Sequence, residues 1–274
     1  MKTLKKLVLF GLIVSVGFFT ACEDDEDDKL SYEEGKEALQ EMDDQMASDF
    51  EEMSQAEGMV ALATLENMDD PFADQKSTKE NQVISNIKEY ALPIDKSVKS
   101  TAETSFDFDS RTGTYEWDND ASQWSYEDNS QDEIIIVFPA DSTNMGENNA
   151  TLTIDNYEDQ EIDDGDYVYY QPTAIEADLV IDGEEHVNLD MTAEWDDNNG
   201  DPLALNASVF LNPFTFTGDI ETTSKSGSID FAIDYDDTQI FSTGIDVDFK
   251  DDTKEEPTLI DGYIQYRKMN IEAN

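Results

Sequence analysis

The chain has 274 residues, of which 66 are acidic and 16 basic, and its net charge is −50 with one His and one Cys. Its 38% hydrophobic and 10% aromatic residues suffice for the core of one medium domain, which argues against wholesale disorder. Because phosphate contacts need a basic surface, the charge argues against nucleic-acid binding, and a single Cys permits neither an intramolecular disulfide nor a multi-Cys metal site.

The N-terminus has the features of a secretory signal peptide. Three Lys residues lie within the first six positions, an apolar run follows over 7–19, and the small Ala21 precedes Cys22. This order is typical of a signal peptide, and the apolar run is shorter than a transmembrane helix normally needs. We predict cleavage after residues 1–21, which leaves the only Cys as the first mature residue. The alternative is an ordinary signal peptide with a chance Cys.

The residues around the cleavage point resemble those of a known protein class. Phe19-Thr20-Ala21-Cys22 resembles the lipobox of bacterial lipoproteins, with Phe where Leu is usual. The six acids at 23–28 resemble the export signal of surface lipoproteins of the phylum Bacteroidota. The resemblance implies a diacylglycerol modification of Cys22 and anchoring to the outer membrane at the cell surface, with the periplasmic face as the alternative. We expect residues 22–35 to form an acidic tether, since a block of like charges stays solvated.

The next segment, residues 36–97, has a helical period. Apolar residues recur at spacings of three and four within 36–68, at Leu39, Met42, Met46, Phe50 and Met53. This spacing predicts an amphipathic helix, which Gly58 interrupts and Asp69-Asp70-Pro71 ends. A second helix is predicted over 80–92, before Pro93. We interpret the Met-rich stripe as core packing rather than as a partner surface.

Residues 98–274 change to a period of two, which predicts antiparallel strands with one buried and one acidic face. The strand candidates are 113–118, 122–127, 133–138, 151–157, 173–181, 187–195, 203–211, 229–235, 245–249 and 258–267. The run at 133–138 lacks polar alternation, so we expect it to be the central strand, buried on both faces. Around Asp182-Gly183 the apolar residues of both flanking strands have odd numbers. A two-residue loop would put these faces out of step, so we predict a loop of three or five residues.

About ten strands with one apolar face cannot remain open and flat. We therefore predict an α+β fold in which N-terminal helices pack on a long curved antiparallel β-meander. A β-sandwich with peripheral helices is the alternative. We expect residues 36–274 to form one folding unit.

Few residues suggest chemistry. His186 is the only His, and no G-x-S-x-G elbow accompanies it, so we interpret it as a surface His and predict no catalytic residues and no enzyme. The acidic turn at 196–201 is a weak calcium candidate, and no other cofactor is expected; its ligands would be Asp196, Asp197, Asn198 and Asp201. Such turns also form for backbone reasons alone. Trp117 and Trp124 are expected to pack a hairpin on the core rather than to stack on sugars.

The function that these features favour is a non-enzymatic, lipid-anchored surface lipoprotein. It would act as a binding or accessory module whose protein or glycan partner the sequence does not identify. One alternative is a carrier of lipids or lipoproteins with an apolar cavity between sheet and helix. A second alternative is a secreted hydrolase that uses two carboxylates.

Overall fold

The computed structural model describes residues 32–72, 105–130, 132–163, 165, 167–251, 257–267 and 269–273. The predicted signal peptide, Cys22 and the predicted helix over 80–92 lie outside these residues. The first helix, α1 (Tyr32–Ser54), begins inside the predicted tether, and α2 (Glu57–Glu66) follows it. The interruption therefore lies at residues 55–56, and Gly58 is part of α2 instead of the break that the sequence predicted. A short 3-10 helix spans Asp109–Arg111.

The other regular elements of the described chain are strands. The strands are β1 (Gly113–Asp118), β2 (Gln123–Glu127), β3 (Ile134–Phe138), β4 (Ala150–Asp163), β5 (Val168–Ile181), β6 (Glu184–Trp195), β7 (Pro202–Leu211), β8 (Phe214–Thr222), β9 (Ser226–Tyr235), β10 (Thr238–Phe249), β11 (Pro257–Tyr266) and β12 (Met269–Ala273). They form one 12-stranded sheet in the order β12-β11-β10-β9-β8-β7-β6-β5-β4-β3-β1-β2. The α+β fold with a long meander is confirmed, and one continuous sheet replaces the two sheets of the sandwich alternative.

Two expectations about the sheet were wrong. The strand at 133–138 is third from one edge, next to the parallel neighbour β1, and not central. It is buried on one face only, because Ile135 and Val137 are half-exposed. The unbroken apolar run therefore reflects the β propensity of branched side chains rather than burial on both faces. The strands β8 and β12 were not predicted from the sequence.

The hairpin between β5 and β6 resolves the register conflict differently from the prediction. Its loop has two residues, Asp182 and Gly183, both with positive φ (52° and 87°), and Ile181 pairs with Glu184. The register then shifts, so that Leu179 pairs with Val187 and His186 becomes the extra residue of a β-bulge. The predicted longer loop was wrong, since the bulge brings the two apolar faces back into step.

One face of the sheet, which we call the inner face, contacts the helical segment. It carries Leu189, Val209, Phe216 and Ile233, which are direct or successive cross-strand neighbours and are buried. The opposite, outer face alternates with it and carries Asp190, Ser208 and Thr217. The helices and most strands share one hydrophobic core on the inner face.

The helical segment crosses the inner face from one side of the sheet to the other. Near the end of α1, Glu52 accepts a hydrogen bond from Tyr235 of β9 (3.2 Å). Beyond α2, the carbonyl oxygen of Asp69 accepts a hydrogen bond from the Trp124 indole of β2. The aromatic ring of Phe72 then packs against Tyr115 and Phe106, with centroid distances of 5.0 and 5.7 Å. Burial, as the main cause, raises the pKa of Tyr115 to about 12.

Candidate functional site

The only His of the chain lies beneath a helix. His186 is 9% exposed, and its Nε2 lies 3.7 Å from Glu57 Oε2 in the first turn of α2. Its backbone carbonyl accepts a hydrogen bond from the Asn212 backbone N–H (3.1 Å). The prediction of a surface His was therefore wrong, because the bulge places the residue where α2 covers it. Its position between helix and sheet fits a role in attaching α2.

The α2 helix approaches the sheet most closely at Gly58. A Cβ atom at this position would lie 2.6 Å from Val187 Cγ2, 3.1 Å from the His186 carbonyl oxygen and 3.2 Å from Leu211 Cδ1. Gly at this position therefore permits close contact between helix and sheet beside the bulge. The sequence signal, a Gly within an apolar helical pattern, was visible but was interpreted as a break.

The predicted calcium loop folds against the β4–β5 hairpin. The backbone N–H of Asp163 donates to the Asp197 carbonyl oxygen (3.0 Å), and the Gln160 side-chain amide donates to the Asp197 carboxylate. Gly200, at a φ of 66°, lies directly under the Tyr169 hydroxyl. The loop therefore has a structural role at this hairpin.

The oxygen atoms of this loop serve its own turns. Asp196 Oδ1 accepts from the backbone N–H of Asn198 (2.9 Å), and Asn199 Oδ1 accepts from the backbone N–H of Asp201 (2.8 Å). Within the described ranges, no group of three or more His, Cys, Asp or Glu side chains is placed to hold a metal ion. Calcium binding by Asp196, Asp197, Asn198 and Asp201 stays a prediction, and the turns explain why the acids cluster here.

The outer face brings acids into direct opposition across the strands. The cross-strand partners are Glu176 with Asp190, Asp219 with Asp230, and Asp246 with Asp261. Like charges in directly opposite positions destabilise a sheet. The opposed carboxylates also give this face a strong negative potential in the folded protein. The Asn206 side-chain amide offsets part of this by donating to Asp219 Oδ1 (2.6 Å).

Asp178, on this face, has a raised pKa. Partial burial is the main cause, and the negative charges of Asp155, Glu185 and Glu133 raise the pKa further. Asp178 lies opposite Thr153 on β4 and Asn188 on β6, so cross-strand neighbours limit its access to water.

The Trp pair packs into the fold, as predicted. Trp117 is 7% exposed, and its ring meets Trp124 edge to face with centroids 5.2 Å apart. The indole N–H of Trp124 donates a hydrogen bond to the carbonyl oxygen of Asp69, and this bond fixes the β1–β2 hairpin to the segment after α2. The pair therefore does not present the open aromatic platform that sugar stacking needs.

A concavity of about 490 Å³ lies on α1 and is open to solvent; its described lining consists of Glu37, Gln40, Asp44 and Gln45. All four side chains are polar and exposed, so this groove differs from the apolar interior that a lipid carrier needs. None of the helices in the described part of the chain is both long and apolar enough to cross a bilayer.

Comparisons with known proteins supply no relative. No family model matches the sequence, and no curated protein or solved structure matches it significantly.

Proposed function

We propose that this protein is a lipid-anchored outer-membrane lipoprotein that acts at the cell surface as a non-enzymatic binding or accessory module. The observation that carries the proposal is the position of Cys22. It is the only Cys of the chain, and it directly follows an apolar run and a small residue and directly precedes six acids. Two acyl chains on this Cys would give stable attachment, since each buried CH₂ contributes about 0.8 kcal/mol.

The short distance between Cys22 and the first helix supports a display role. The described helix α1 begins at Tyr32, so nine residues, 23–31, lie between the proposed lipid and this helix. Seven of these nine are acidic or Lys, namely residues 23–29. Such a spacer stays solvated and keeps the folded part close to the membrane without inserting into it.

The one-sided cover of the sheet supports a binding role. In the part of the chain that the structure describes, the helical segment occupies the inner face, whereas the outer face of β6–β9 is lined mainly by acids and small polar residues, with Phe210 as an exception. A wide acidic face near a membrane repels anionic polymers and attracts cationic ones. We therefore propose that the partner presents positive charge.

The experiment for this proposal uses the full chain expressed in its own cells. Protease treatment of intact cells should release a folded fragment from the wild-type protein, whereas Cys22→Ser should appear unprocessed or soluble. The matched control is Ser31→Ala, which changes one hydroxyl in the tether and leaves Cys22 intact. A Cys22→Ser protein that is cleaved after Ala21 and still fractionates with the outer membrane at the wild-type level would contradict the lipid anchor. Protection of the wild-type protein from added protease would contradict its position at the surface.

A further inference from the structure

The inner face of β7 to β11 has an uncharged region near the lower end of the sheet, by which we mean the end where β7, β9 and β11 begin. Three successive cross-strand rows form this region, which we call the lower patch. The rows are Ala207, Gly218, Phe231, Thr243 and Ile264, then Leu205, Ile220, Ile229, Ile245 and Gly262, then Thr222, Gly227, Val247 and Ile260. The outer face of the same strands, by contrast, carries Asp219, Glu221, Asp230, Asp246, Asp248 and Asp261.

Most of the lower patch is partly open to solvent. Ile260 is 50% exposed and the three Ile residues of the middle row are half-buried, whereas Val247 is the one patch residue that is buried. Further up the same face, Val209 and Phe216 are buried in the core. The outer face shows that a solvent-facing strand surface of this chain is acidic. A surface of uncharged, mostly apolar residues therefore indicates that another apolar surface covers it.

The described helices lie nearer the opposite, upper end of the sheet. Gly58 of α2 lies against Val187 at the start of β6. The end of α1 is fixed near the upper end as well, because Asp49 accepts a hydrogen bond from Tyr266 at the end of β11. The core cluster contacts the patch at Leu205, Ala207 and Phe231. An occupant of the patch would therefore lie beside α1 and α2, in the same layer.

We propose that the lower patch binds one basic amphipathic helix of a partner protein. The five strands span about 19 Å from the first to the last, and the three rows extend about 13 Å along the strands. A helix is about 10 Å wide and rises about 1.5 Å per residue, so a helix of about 13 residues covers the patch. Its apolar stripe, at spacings of three and four, packs on the Ile side chains.

The size of the patch argues against a second copy as the occupant. Its dimensions give about 250 Å² of sheet surface, whereas a stable interface buries about 800 Å² on each partner. A second copy would also bring its own net charge of −50 against a chain of the same charge. A single helix needs less contact area and can carry the opposite charge.

The charges around the patch indicate that the partner helix is basic. The described parts of the loops at the lower end carry Asp196, Asp197, Asp201 and Asp251 against Lys225 and Lys250. On the upper side, the last turn of α1 carries the exposed residues Glu51 and Glu52. Basic side chains beside the apolar stripe would complement these carboxylates. The proposal rests on the proposed function for its cationic partner, but it is independent of the lipid anchor.

A synthetic helix tests the proposal on the full chain carrying Cys22→Ser, in which no acyl chain competes. The probe is a fluorescein-labelled peptide of about 13 residues with Leu at spacings of three and four and Lys elsewhere, followed by fluorescence anisotropy. We expect it to bind at least about tenfold more tightly than a scrambled peptide of the same composition, which lacks the apolar stripe. Equal affinity for the two peptides would overturn the proposal, and so would equal binding of a version with Glu in place of Lys.

Substitutions in the patch locate the binding site. Ile229→Ser with Ile245→Ser should weaken binding about tenfold or more, because both side chains lie in the middle row. Ile135→Ser with Val137→Ser is the matched control, since these residues are also half-buried but lie on the outer face of β3. The control should change the affinity by less than about twofold. Ile260→Ser, at an exposed position, should weaken binding without loss of the circular dichroism of the fold. Unchanged affinity in the patch variants would overturn the proposal.

Three further measurements separate this proposal from its alternatives. If Ile229→Ser lowers the urea midpoint of the free protein as much as Val209→Ser does, the patch is already covered within the chain and the proposal is overturned. A dimer in sedimentation analysis that Ile229→Ser dissociates would identify a second copy as the occupant, with the same consequence. Asp219→Asn with Asp230→Asn, on the outer face, should leave peptide binding nearly unchanged. Loss of binding in this pair but not in the patch variants would retain the cationic partner of the proposed function and overturn the patch as its site.

Discussion

The contact between α2 and the β6 bulge makes Gly58→Ala an informative substitution. On helix propensity alone, Ala would stabilise α2 by about 1 kcal/mol. The new Cβ, however, would lie 2.6 Å from Cγ2 of Val187, which is 2% exposed and stiff at χ1, and close to the His186 carbonyl oxygen. Overpacking of this kind costs about 1–3 kcal/mol, so after the propensity gain is subtracted we expect a net loss of up to about 2 kcal/mol in the free energy of unfolding.

Urea unfolding followed by circular dichroism measures this loss, and a second background identifies its cause. Val187→Ala removes the atom that collides with the new Cβ, so Gly58→Ala should be close to neutral in that background, despite the cost of Val187→Ala itself. If Gly58→Ala raises the free energy of unfolding of the otherwise wild-type protein, α2 does not approach the sheet as described.

Three further substitutions test other contacts. Gly200→Ala should destabilise the protein by about 1–3 kcal/mol in thermal unfolding, because φ is positive there and the Cβ would collide with the Tyr169 hydroxyl; an unchanged melting temperature would refute the loop packing. Asp49→Ala should cost about 1–3 kcal/mol because it leaves the buried Tyr266 hydroxyl and the Arg267 guanidinium without their acceptor. Asp49→Asn, which retains an acceptor, should cost less, and equal losses would contradict this assignment. Asp178→Asn should stabilise the protein at pH 7 by up to about 1 kcal/mol. The folded-state pKa of Asp178 lies above its ordinary value of 3.8, so ionisation disfavours folding as the pH rises. The gain should therefore disappear when urea unfolding is measured below that value, and a gain that persists there would contradict the assignment.

The strand pattern was largely predictable because it depends on local alternation. On β6, Leu189 and Met191 alternate with Asn188 and Asp190, and the structure buries the first pair and exposes the second. β8 was missed because its apolar alternation is interrupted at Gly218 and Asp219 after only two Phe residues. A pattern that short cannot be distinguished from a turn, and only its pairing with β7 and β9 makes it a strand.

The details of the candidate site depend on tertiary contacts and were harder to predict. The odd residue numbers of the apolar positions on β5 and β6 correctly indicated a conflict with a two-residue loop. They could not distinguish a longer loop from a bulge. The bulge in turn decides the burial of His186. The acids at 196–201 suggested ion binding, whereas the structure uses them in turns that pack on β4 and β5, a contact between residues distant in sequence.

The measurement that tests the functional account most directly is intact-mass spectrometry of the full-length protein extracted from its own membranes with detergent. We expect a mature chain that starts at Cys22 and carries the mass of a diacylglycerol group on that residue. A free Cys22 thiol, or a mature N-terminus at any other residue, would contradict the account.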